Sequence, residues 1–164
     1  MNVRPFLKNR KPFYKVPPLP LWIFLTVLPL FATFCFSAQD AAHSGSLSME
    51  ILRALLRRFP SLYAFGSAAQ LHRLLRKAAH FSLYFILGCG LRGMYTYQRR
   101  FPAAPCVIVA GGLCAALDEF HQRFSAGRAP ALTDVGLDTC GVMTGCLFVS
   151  LLFLLFRKRL ARRP

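Results

Sequence analysis

Acidic residues are scarce in this 164-residue chain: six Asp and Glu stand against 21 Lys and Arg, a formal net charge of +15. No two of its six cysteines form a C-x-x-C pair or show a zinc-site spacing. There is no glycine-rich phosphate loop, no H-E-x-x-H and no nucleophile motif, and neither an internal repeat nor a low-complexity tract. These absences exclude the common soluble nucleotide-binding and metalloprotease chemistries. The positive charge does not indicate a nucleic-acid partner either. A basic nucleic-acid binder spreads Lys and Arg over helical faces or strands. Here they sit at the edges of long apolar runs, because an ionised group at the centre of a bilayer costs several kcal/mol.

What is abundant is apolar: 55% of the chain, with 16 Phe. The first run, Leu21 to Ala38, contains Pro29 and exceeds a signal-peptide core, so an uncleaved helix is expected. Further spans are expected at 78–97, 103–120 and 132–156. Between the first two lies a polar stretch, then Met49 to Phe59. Its Ile51, Leu52, Leu55, Leu56 and Phe59 share one face, and Arg53, Arg57 and Arg58 occupy the other. That pattern suits a helix lying on a lipid surface. A second short segment, Leu62 to Lys77, leads into the span at 78. The expected architecture is all-α: a polytopic, four-transmembrane-helix bundle with an interfacial amphipathic helix. A basic arm (1–18) precedes the membrane domain (19–156), and a basic tail (157–164) follows it. The cysteines all fall in or beside apolar runs and are expected to act as small hydrophobes.

Charge sets the expected topology. Five basic residues lie in the arm, five in the tail, and Arg92, Arg99 and Arg100 flank the connection between the second and third spans. The other side carries eight basic residues in much longer loops. The positive-inside bias then places both termini in the cytoplasm. All six acids (Asp40, Glu50, Asp118, Glu119, Asp134 and Asp138) fall on the opposite, outer side.

Candidate functional residues gather at that outer end. Arg76, Lys77 and His80 open the second span, and Tyr84 continues the Arg76–His80 stripe at helical spacing. Asp118, Glu119, His121 and Gln122 close the third span, with Asp118 in reach of His121 and Gln122. Arg128 lies in the next loop. Asp134 and Asp138 open the fourth span one turn apart, and Gly141 and Gly145 below them permit close approach of another helix. Each has a structural alternative. The two Asp would favour a helix N-terminus, and His80 or Asp118 could be hydrogen-bonded packing groups. Together they exceed what bundle packing needs, and intramembrane ionisable groups are functional by default.

The strings RKAAHFSLYFILG, ALDEFHQRFSAGR and DVGLDTCGVMTG resemble the VanZ-like family of bacterial membrane proteins, as does FSAQDAAHSGSLS after the first span. The resemblance covers about residues 30–147. It implies a cell-envelope role in a bacterial cytoplasmic (inner) membrane and a link to resistance to the glycopeptide antibiotic teicoplanin; it implies no reaction.

Three readings remain open. In the first, Arg76, Lys77 and Arg128, with Arg53, Arg57 and Arg58, bind an anionic envelope component such as a lipid-linked phosphate or cell-wall precursor among the membrane lipids. In the second, the protein is an interfacial enzyme. His80 or His121 is its general acid/base, Asp118 or Asp134 orients that histidine or holds a divalent metal, and Arg128 stabilises an oxyanion. Asp118 and His121 could share such an ion with a residue from another helix. No cofactor is otherwise implied. The third reading, a small transporter subunit, lacks midplane charges along a path. The oligomeric state stays open.

Overall fold

The structure is a computed structural model that describes residues 17–39, 41–98, 103–127 and 131–161. Five α-helices and one 3₁₀ turn account for nearly all of them, and the described residues contain no strand. They are α1 (Leu19–Ser37), α2 (Ala41–Arg58), the 3₁₀ turn (Pro60–Phe65), α3 (Ala68–Gln98), α4 (Ala103–Gln122) and α5 (Leu132–Ala161). Residues 1–16, most of the basic arm, lie outside the described residues, as do Asp40, Arg99, Arg100 and Arg128.

Among the described residues, three helices are long and apolar enough to cross a membrane: α1, α4 from Ala104 and α5 as far as Phe156. This is the mark of a multi-pass membrane protein. Large side chains such as Phe24, Phe31 and Phe34 on α1, and Leu151, Leu154 and Phe156 on α5, point outward. An apolar exterior of this kind suits lipid rather than water. Helix α3 differs from expectation. The short segment before residue 78 and the span after it are one helix of 31 residues, about 46 Å long at 1.5 Å per residue. Neither Pro nor Gly interrupts it between Ala68 and Leu87, and Leu, Arg, Lys and Ala there are strong helix formers. The polar stretch before Met49 is also helical, since α2 already begins at Ala41.

Helix α2 divides its apolar face. Leu52 and Leu56 are buried against Leu71 of α3, while Leu47, Ile51 and Phe59 stay exposed. Ser48 Oγ lies 2.6 Å from His72 Nε2 and fastens α2 to α3.

The bundle is organised around α3, which packs most extensively on α5 and then on α1. Glycine permits this. A Cβ built at Gly145 would collide with the carbonyl oxygen of Phe85, and one at Gly88 with that of Val142, so the α3 and α5 backbones meet without side chains between them. The core beside this seam holds Tyr84, Leu87, Val107, Ala115, Val142 and Cys146. Farther along, the Trp22 ring lies against Gly93 and meets Phe153 edge-on at 6.2 Å. At that end Arg92 donates from Nε to Ser150 Oγ at 2.8 Å and lies over the Phe153 ring.

Replacing Gly145 by Ala should cost about 1–3 kcal/mol by overpacking the seam. Gly136→Ala, where an added Cβ meets nothing within 4 Å, should be neutral or stabilise by up to about 1 kcal/mol. Thermal unfolding in detergent separates the two; equal melting temperatures would contradict the seam.

Candidate functional site

The C-terminal ends of α1 and α4, the N-terminal end of α5 and the first third of α3 meet at one end of the bundle. Asp118 is 8% exposed, near the end of α4, where the helix dipole disfavours a carboxylate. Its compensation comes from side chains. Ser37, fully buried at the end of α1, donates to Oδ1 at 2.6 Å. Gln122, one turn along α4, donates from Nε2 to Oδ2 at 3.0 Å and also reaches Ser37 Oγ at 3.4 Å. Ser125 Oγ then donates to the Ser37 carbonyl at 2.6 Å. The network ties α1 to α4 and fixes the Asp118 carboxylate.

Asp138, 3% exposed, enters from α5. His80 enters from α3, and its Nδ1 lies 3.6 Å from Asp138 Oδ2. That separation is too long for a hydrogen bond. The other oxygen, Asp138 Oδ1, is buried with no hydrogen-bond partner among the described residues. One potential ligand atom from each of His80, Asp118 and Asp138 lies within 4.8 Å of the other two. Three helices thus bring one imidazole and two carboxylates together.

Above this trio opens a polar cavity of about 270 Å³, lined by Arg73, Arg76, Lys77, His80, Gln122, Asp134 and Asp138, among others. Lys77 Nζ pairs with Asp134 Oδ1 at 2.9 Å, both half-exposed at the rim. Arg73 and Arg76 make no ion pair among the described residues. Glu119 also lines the cavity and accepts the Ala131 backbone N–H, which fastens the start of α5 to the end of α4. Gly127 lines it with φ 75°, a left-handed turn that suits glycine.

A second cavity, about 180 Å³ and mostly apolar, lies between α1, α2 and α3. Thr33, Phe36, Leu47, Ile51, Leu75 and Leu83 line it, and Arg76 and His80 belong to both cavities.

Of the residues singled out in the sequence, Arg76, Lys77, His80, Glu119, Gln122, Asp134 and Asp138 line the polar cavity, and Asp118 lies against it through Gln122. Two do not join them. His121 stacks on Phe34 of α1, ring centroids 4.8 Å apart and planes 3° from parallel, and its buried Nδ1 has no partner among the described residues. Helical periodicity explains this: one residue before Gln122, it faces about 100° away. Tyr84 is 2% exposed, and its hydroxyl donates to the Cys114 carbonyl at 3.4 Å, so it belongs to the core. Arg128 falls outside the described residues.

Sequence reasoning missed Ser37 and Arg73. Arg73 lies one turn before Arg76 and Lys77, a spacing that was available. Ser37 carried one signal, a hydroxyl closing an apolar run, but spacing alone cannot say which helix it meets.

Replacing Ser37 by Ala leaves Asp118 short of a buried donor and should cost about 1–3 kcal/mol. Asn at position 118 in the same background should recover part of the loss, because a neutral amide is cheaper to bury than a carboxylate. Differential scanning calorimetry of the single and double variants reads both values; strict additivity would show that the pair does not interact.

A family model described as VanZ/LLP1 matches residues 22–156. No curated protein and no solved structure matches the chain.

Proposed function

The chain belongs to the VanZ/LLP1 family, and from that premise we propose that its polar end binds a lipid-linked phosphate of the bacterial cell envelope. One observation carries the reading: a polar cavity and an apolar cavity share Arg76 and His80 in their linings. An amphiphile has the same two parts. Its phosphate would sit in the polar cavity beside Arg73, Arg76 and Lys77, where charge-assisted hydrogen bonds are the strong ones. Its hydrocarbon chain would leave between α1, α2 and α3 along Thr33, Phe36, Ile51 and Leu83. A soluble anion would not use that exit.

The same proposal includes topology. Helix α3 forms the fourth span, because it packs on α1, α4 and α5. Both termini face the cytoplasm, as the basic flanks favour, and the polar end faces outward. Helix α2 lies on the outer leaflet with Arg53, Arg57 and Arg58 toward headgroups and the exposed Ile51 toward acyl chains. A link to glycopeptide resistance would then follow from holding or shielding an envelope lipid.

An interfacial enzyme is the second reading. The contact between His80 and a buried carboxylate favours it, and His80 rather than His121 would be its acid/base, since His121 is stacked away from both cavities. A transporter has less support: among the described residues the carboxylates and histidines gather at one end, away from Arg92 and Ser150 near the other.

Binding of a long-chain polyprenyl phosphate to the detergent-solubilised chain tests the first reading. The phosphate should bind more tightly than the parent alcohol, and Arg76→Ala should remove about tenfold or more of that preference. Equal affinity for phosphate and alcohol would contradict it.

A further inference from the structure

The trio of His80, Asp118 and Asp138 has a charge problem that its hydrogen bonds and ion pairs among the described residues do not solve: Arg73 and Arg76 line the adjoining cavity but pair with neither carboxylate. Two carboxylates 8% and 3% exposed face one imidazole. Burying an ionised carboxylate without a partner is expensive, and two together repel. The nearest lysine, Lys77, pairs with Asp134 instead. Asp118 receives hydrogen bonds from Ser37 and Gln122, both neutral. Asp138 Oδ1 receives none among the described residues, although the side chain is almost wholly buried.

The distances fit another occupant. Ligand atoms held about 2.0–2.2 Å from one ion stand about 3–4.4 Å from each other. The three candidate atoms lie within 4.8 Å of one another, so movements of less than about an ångström bring them onto one centre. The 3.6 Å from His80 Nδ1 to Asp138 Oδ2, too long for a hydrogen bond, suits two ligands of a shared cation. Each ligand comes from a different helix, and Asp118 is already oriented by Ser37 and Gln122 in the manner of an outer shell.

We propose that His80, Asp118 and Asp138 form a divalent-cation site whose remaining coordination positions open into the polar cavity. One imidazole with two carboxylates suits a first-row ion such as Mn²⁺, Fe²⁺ or Zn²⁺ better than Ca²⁺, which takes six to eight oxygens. The site also completes the cavity. Arg73, Arg76 and Lys77 are matched there by Glu119, Asp134 and Asp138, so the lining alone offers an anion no net positive charge. A divalent ion reverses that balance and adds direct bonds to phosphate oxygens. This last point, unlike the cation site itself, rests on the lipid-phosphate reading.

The test uses the full chain, stripped with EDTA in detergent and titrated with Mn²⁺ while electron paramagnetic resonance reads the free ion. One ion per chain should bind saturably. Asp138→Asn and His80→Gln should each weaken binding by about tenfold or more, the outer-shell effect on metal affinity being already about 10- to 100-fold. His80 is the more exposed of the two, which keeps a second variant available should the first not fold. Glu50→Gln, an exposed acid on α2, should bind as the parent does. Mn²⁺ should also raise the melting temperature of the parent and not that of Asp138→Asn. Absence of saturable binding, or equal weakening by Glu50→Gln, would overturn the site. Polyprenyl-phosphate affinity with and without Mn²⁺ separates the two ideas. If Mn²⁺ binds and phosphate affinity does not respond, the cation site stands and its coupling to the lipid falls. If phosphate binds equally well to the stripped chain and to Asp138→Asn, the lipid reading stands without the ion.

Discussion

A carboxylate inside an apolar helical bundle must be compensated where it sits, and the burial of Asp118 imposes that demand on the whole polar end. Water cannot solvate it, and its place near the C-terminus of α4 sets the helix dipole against it. The response is local and comes from three segments. Ser37 closes α1 against it, Gln122 returns from the next turn of α4, and Ser125 in the following turn holds the Ser37 carbonyl. A lipid-facing helix such as α1, apolar nearly all round, has few means of choosing its rotation against neighbours. The single hydroxyl at its end supplies one, because turning it away would leave Asp118 with Gln122 as its donor and take Ser37 out of the network.

The second requirement is close approach of α3 and α5. Without Gly88 and Gly145 the two backbones would stand apart, and His80 and Asp138, one from each helix, would not face each other. A small-residue seam deep in the bundle therefore sets the geometry of the polar end above it. Among the described residues, the opposite end carries sparser polar links, from Arg92 to Ser150 and from Thr26 to Met94. The described residues are thus polarised along the bundle axis, with carboxylates and imidazole gathered at one end.

Much of this was legible in the sequence, for reasons that differ by residue. The helices at α1, α4 and α5 follow from apolar runs of spanning length. The Asp118–Gln122 contact follows from i, i+4 spacing. Residue type and depth pointed to His80, Asp134 and Asp138, since a charged side chain beside an apolar run needs a partner. Other features were hidden because they depend on which helices meet. Nothing in the pattern pairs Ser37 with Asp118 across 81 residues, and nothing distinguishes the inward-facing Gln122 from His121, which turns to Phe34. Helix α3 runs unbroken through residue 78 because charge ends an apolar run without ending a helix; Arg76 and Lys77 are good helix formers. Likewise, the apolar face of α2 could be read, but not that Leu52 and Leu56 would bury against Leu71 while Ile51 stayed exposed.

The most direct measurement is native mass spectrometry of the full chain released from mild detergent after purification from its own membrane. The expected spectrum shows the chain carrying an anionic lipid together with one divalent ion, with the lipid lost first from chains altered at Arg76 and the ion lost first from chains altered at Asp138. A bare chain in the parent spectrum, or adducts that survive both alterations unchanged, would contradict a ligand-binding polar end.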